Sequence, residues 1–158
     1  MARTAQQRGK LARSKGRSFE QKIARLLRER FPKATVRRAL QSHRAYEPDL
    51  VIEGAVSEVV SNLWLELTTG RKAHLIVGQK MEQAHRDISR AHKKSVEASR
   101  RIPVVIWHRM REQQVWATLS LRDLFILGGA VQTLLTVGIV EEAPVTLHLE
   151  DFLALLPD

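Results

Sequence analysis

Asp49 and Glu66 are the two residues whose surroundings in the sequence most suggest chemistry. Asp49 follows Pro48 and opens the apolar run Leu50, Val51, Ile52, while Glu66 sits between Leu65 and Leu67, two residues after Trp64. Both segments read as strands, and the two acids are 17 positions apart, enough for an antiparallel pair to bring the carboxylates together. An unpaired carboxylate in a central strand costs several kcal/mol, so Glu66 is expected to have a partner. The alternatives are an aspartate in a Pro-Asp turn and an exposed strand charge. Two such carboxylates can hold a hard divalent cation, and Glu20, from a predicted helix upstream, is the candidate third. Hydrolysis of a phosphodiester needs hydroxide at neutral pH and stabilisation of a highly charged phosphoryl centre, and Mg²⁺ held by two or three carboxylates supplies both.

The elements that must carry these groups follow from hydrophobic periodicity. Phe19, Ile23, Leu26, Leu27 and Phe31 share one face of a helix predicted over 18–30, with Ser18 as its cap and Pro32 ending it. Residues 34–39 read as a short strand and 40–47 as a polar loop containing Ser42, His43, Arg44 and Tyr46. In the strand predicted over 63–68, alternation puts Trp64, Glu66 and Thr68 on one face and Leu63, Leu65 and Leu67 on the other. Met81, Ala84, Ile88, Ala91 and Val96 mark a helix over 78–99, broken before Pro103. Two strands, 102–108 and 114–119, are joined by the polar turn 109–113. Ser120 with Asp123 then starts a short helix that Gly128 and Gly129 end. Residues 145–153 echo 117–125, and both copies read as a strand running into a helix.

This alternation predicts an α/β fold, a single domain with a mixed central β-sheet flanked by helices. Its expected parts are a flexible basic arm over 1–17, a core over 18–127 and an extension over 128–158. The extension's apolar residues, Leu134, Leu135, Val137, Ile139 and Val140, suit packing on the core or a dimer interface.

Charge narrows the partner. Residues 1–44 hold 14 lysines and arginines against two acids, Glu20 and Glu29, whereas the rest of the chain is slightly acidic. Such a density of cations is the footprint of phosphate-backbone contacts. A basic amphipathic helix with an aromatic face, the signature of membrane-surface binding, is missing, and no apolar run is long enough to span a bilayer. A chain with no cysteine excludes disulfides, thiolate metal sites and a cysteine nucleophile, and is compatible with the expected cytoplasmic location. His85 and His92 stand seven apart with no carboxylate completing a zinc pattern, and read as helix surface. The segment Thr68-Thr-Gly-Arg-Lys72 lacks the upstream glycine and Lys-Ser/Thr ending of a phosphate loop, so no nucleotide cofactor is expected. Trp64, Trp107 and Trp116 all fall in predicted strands and are assigned to packing.

The order of the motifs Lys15-Gly-Arg-Ser-Phe-Glu20, Pro48-Asp49 and Leu65-Glu-Leu-Thr68 resembles that of the PD-(D/E)XK nucleases, and among them the archaeal-type Holliday junction resolvases. The resemblance spans about residues 13–119. It implies a restriction-endonuclease-like fold, Glu20, Asp49 and Glu66 as ligands of Mg²⁺ (with Mn²⁺ able to substitute), and Ser42 as the serine of a loop closing over the scissile strand. It also implies a homodimer that cuts a four-way DNA junction by paired symmetric hydrolysis. One departure stands out: Thr68 occupies the place of the family's catalytic lysine and cannot supply a positive charge. Lys80 is the first candidate to replace it and Lys72 the second. Lys15, Arg17, Arg37, Arg38, Arg44 and Lys72 are the expected DNA contacts. Two rival expectations remain, a nuclease acting on nicked, flapped or duplex-end DNA and a non-catalytic DNA-binding protein with a degenerate site.

Overall fold

The computed structural model describes residues 5–39, 47–93, 101–128 and 143–157, with side chains from residue 14 onward. Helix α1 runs over Ala5–Arg30. It therefore begins thirteen residues before Ser18, which corrects the expected cap and puts residues 5–17 of the expected arm in a helix. The physical reason is composition: alanine, glutamine, arginine, lysine and leucine are strong helix formers, and they propagate a helix that the packed face downstream has already nucleated. Ser18 lies mid-helix, where its hydroxyl donates to the Ser14 carbonyl at 3.1 Å.

Six strands form one mixed sheet in sequence order, β1 (Ala34–Arg38), β2 (Leu50–Gly54), β3 (Leu63–Gly70), β4 (Ile102–Arg109), β5 (Trp116–Ser120) and β6 (Pro144–His148). Every neighbouring pair is antiparallel except β3 and β4. A parallel pair needs a crossover, and α3 (Val77–His92) provides it, entered through a 3₁₀ turn at Ala73–Leu75. The other helices among the described residues are short: α2 (Glu58–Ser61), α4 (Leu121–Leu127) and α5 (Leu149–Leu155).

The alternation in β3 divides the molecule into layers as expected. Leu63, Leu65 and Leu67 enter the main core with Phe19, Ile23, Leu27 and Phe31 of α1. The same core takes Leu127 of α4 and Phe152 of α5, so these helices share the α1 face. On the opposite face Trp64 packs against Ala84, Ile88 and Ala91 of α3. The predicted start of α4 holds in detail, since Ser120 Oγ accepts the Asp123 N–H at 3.0 Å and donates to Asp123 Oδ2 at 2.6 Å. The echo in the tail has a structural counterpart, as β5 runs into α4, β6 runs into α5, and the two strands pair with Ala117 opposite Leu147. Among the described residues no helix is long and apolar enough to cross a membrane. Val96 and the apolar residues 134–140 lie outside the described residues.

Candidate active site

The site forms where β2 and β3 part. Their paired register is a single step, Leu50 opposite Leu65; one step further, Asp49 lies opposite Glu66. Beyond that point the Asp49 side chain takes over from the backbone, its Oδ2 accepting the Leu67 N–H at 2.8 Å. A β-strand amide at a fork would otherwise be left without an acceptor, and a carboxylate that satisfies it is held in one orientation. That bond uses Oδ2 and leaves Oδ1 for another partner.

Glu66 is only 5% exposed. Its Oε1 accepts the indole N–H of Trp64 at 3.1 Å, and its Oε2 stands 3.6 Å from Lys80 Nζ. The carboxyl is pushed up from its ordinary 4.5 to about 7. Burial is the main cause, the negative charge of Asp49 adds to it, and Lys80 and the Trp64 hydrogen bond oppose it. Two carboxylates that repel across the fork, one of them held by a backbone amide, are a fitting donor set for a divalent cation. Mg²⁺ is commonly bound through one or two carboxylates together with substrate phosphates, so Asp49 and Glu66 would suffice on the protein side.

Of the three acids singled out in the sequence, the structure brings two together. Glu20 is ion-paired with Arg38, which follows Arg37 at the end of β1 and pairs in register with Leu50. It therefore sits on the α1 face, whereas Glu66 points towards α3. Among the described residues no group of three or more aspartates, glutamates or histidines is placed to hold a metal.

The cations divide in the same way. Lys80 reaches Glu66 from α3, so a lysine does stand beside the carboxylates although Thr68 occupies the expected position. Lys72 is exposed at the 3₁₀ turn. Arg37 is clamped by Glu47 and Glu53, at 3.1 and 3.0 Å, and these hydrogen bonds hold its guanidinium charged far above the ordinary range. Both Arg37 and Arg38 are thus committed to carboxylates of the chain itself. Lys15 and Arg17 are exposed on α1, with Lys15 Nζ 3.7 Å from Met110 Sδ. Ser42 and Arg44 lie outside the described residues. His85 and His92 are exposed, as expected of helix surface.

Two residues of the site were not singled out in the sequence. Trp64 is one, acting through its indole N–H. Asp87 is the other, 6% exposed on α3, hydrogen-bonded to Arg90 at 3.1 Å and close enough to raise the Glu66 carboxyl further. Its spacing of seven from Lys80, two helical turns, was the available signal. No family model, curated protein or solved structure matches the chain.

Proposed function

We propose that the protein is a metal-dependent endodeoxyribonuclease acting on branched DNA, with the four-way junction as its substrate. The observation that carries this reading is the placement of Glu66 between Asp49 and Lys80, a buried acid facing a second carboxylate and a cation at the fork of two strands. The order of motifs shared with the resolvases and the uneven charge of the chain support it.

Asp49 and Glu66 would hold Mg²⁺, which when bound supplies Lewis acidity and a water acidic enough to attack phosphorus at neutral pH. The protein's own residues do the rest. The Leu67 amide fixes Asp49 through Oδ2 and the Trp64 indole fixes Glu66 through Oε1, so the other oxygen of each carboxylate would be the one offered to the metal. Lys80 stands beside Glu66, where a cation would stabilise the charge that develops on the phosphoryl oxygens. Arg17, Lys15 and Lys72 are exposed cations that would bind flanking phosphates. Such contacts carry no base information, so selectivity would come from the shape of the junction.

One specific observation favours a second reading, a DNA-binding protein without chemistry: Glu20 faces Arg38, and among the described residues no group of three acids is placed to hold a metal. The discriminating experiment is incubation of an end-labelled four-way junction and a matching linear duplex with Mg²⁺, with Mn²⁺ or with EDTA, using the wild type and Asp49→Asn. The expected outcome is paired nicks on the junction alone, lost in EDTA and in the variant. Tight binding with no cutting under any condition would leave the second reading in its place, and cutting of both DNAs would broaden the substrate.

A further inference from the structure

Three aromatic rings lie in a row across the outer strands on the face that carries Glu66. Trp107 of β4 pairs in register with Trp116 of β5, and Trp116 with His148 of β6. Their rings are in contact, with centroids 5.9 Å apart for Trp107 and Trp116 and 4.1 Å apart for Trp116 and His148. The row begins at Thr68, which stands opposite Trp107 across β3 and β4 and two residues beyond Glu66 on the same face. Strands repeat at about 4.8 Å, so the track leads from the carboxylates to the edge of the sheet without a gap.

Among the described residues, packing does not account for the row. Trp64, on the same face, is 2% exposed beneath α3. Trp107 and Trp116 are only half-buried and His148 is exposed. Helices α4 and α5 both pack into the core on the opposite face. The indole N–H of Trp107 is already satisfied by Thr118 Oγ1 at 3.0 Å, which holds the ring in place and leaves it no polar demand of its own.

We infer that Trp107, Trp116 and His148 form a stacking platform for unpaired bases of the DNA strand that passes through the Asp49–Glu66 site. The occupant is a nucleic acid and not a second copy of the chain because of what surrounds the rings. The exposed Arg71 and Lys72 follow Gly70, which pairs in register with Arg109, a residue on the face of Trp107 that is itself ion-paired with Glu112 at 3.0 Å. Flat rings beside exposed cations match bases joined by phosphates, whereas the buried centre of a protein–protein interface is depleted in charge. The inference rests on the nucleic-acid reading and deepens it: the preferred substrate carries unpaired nucleotides next to the phosphate that is cut.

The test is a titration of the full chain, in EDTA to prevent cutting, monitored by tryptophan fluorescence. Two probes are compared, an oligothymidylate and an abasic backbone of equal length and charge. The expected result is quenching by the oligothymidylate and little by the abasic chain. Trp116→Leu should abolish most of the quenching and weaken binding by about tenfold, the scale of one lost base stack. His148→Ala, at an exposed position, serves where Trp116→Leu fails to fold and should weaken oligothymidylate binding without changing abasic binding. Equal response to both probes, or no response to either because the chain or a second copy covers the row, would overturn the platform. Cleavage is not read here, so a wild type that never cuts DNA would defeat the nuclease reading alone, and a cutting enzyme without base-dependent quenching would defeat the platform alone.

Discussion

Lys80 Nζ stands 3.6 Å from Glu66 Oε2, so α3 places a cation beside a carboxylate that β3 buries. Lys80→Met should lower junction cleavage by about 10²–10³, the usual cost of removing one charge-stabilising donor, while leaving junction affinity near that of the wild type. Lys80→Arg should recover part of the rate. Single-turnover cleavage beside a binding titration checks both.

Glu66 gives a pH signature that needs no DNA. Its carboxyl titrates near 7 in the folded chain and near 4.5 when unconstrained, so folding takes up a proton between those values. The folded state is therefore favoured most below pH 4.5, and that advantage is lost as pH rises through 7. Relative to Glu66→Gln, which cannot ionise, the wild type should lose on the order of 3 kcal/mol across that window. Urea unfolding of both proteins in EDTA measures the difference, and parallel stability curves would refute the assigned burial cost.

Asp49 has a structural duty separable from chemistry. Asp49→Asn retains a side-chain oxygen to accept the Leu67 N–H, whereas Asp49→Ala leaves that amide without its acceptor at a cost of about 1–3 kcal/mol. Chemical denaturation should thus rank the alanine variant clearly below the asparagine variant, while both fail to cut DNA.

Arg37 and Arg17 should behave differently towards phosphate although both are basic. Arg37 is held by Glu47 and Glu53, whereas Arg17 is exposed on α1. Replacing Arg17 or Lys72 by alanine should reduce the slope of log affinity against log salt by about one. Arg37→Ala should leave that slope almost unchanged, as measured by DNA binding over a series of salt concentrations.

What was legible in the sequence was local and periodic. The apolar positions Met81, Ala84, Ile88 and Ala91 all reach the buried face of α3, and the alternation in β3 separates Glu66 from the leucines of the main core. Lys80 could be named because it begins the helix next to the site. Pairings over distance were not legible: nothing near Arg37 or Arg38 in the chain announces that Glu53 and Glu20 will claim them. The tryptophans show a further limit, since alternation places Trp64 and Trp107 on one face but only the position of α3 decides that the first is covered and the second is not. The opening turns of the first helix were missed because they lack an apolar face, and helix-forming composition alone is a weak guide.

That helix changes what its basic half can do. Its first described buried side chain is Phe19, which serves as the pivot of the helix. A flexible tether over residues 5–18 would have a root-mean-square reach of roughly 20 Å in any direction, and a helix of the same residues reaches about 20 Å along one line. The reach is similar but the geometry is that of a lever and not a leash. A phosphate bound by the far turns would be set at a fixed angle and depth relative to Glu20, one residue past the pivot, and through the pairing of Glu20 with Arg38 to the strand beside β2.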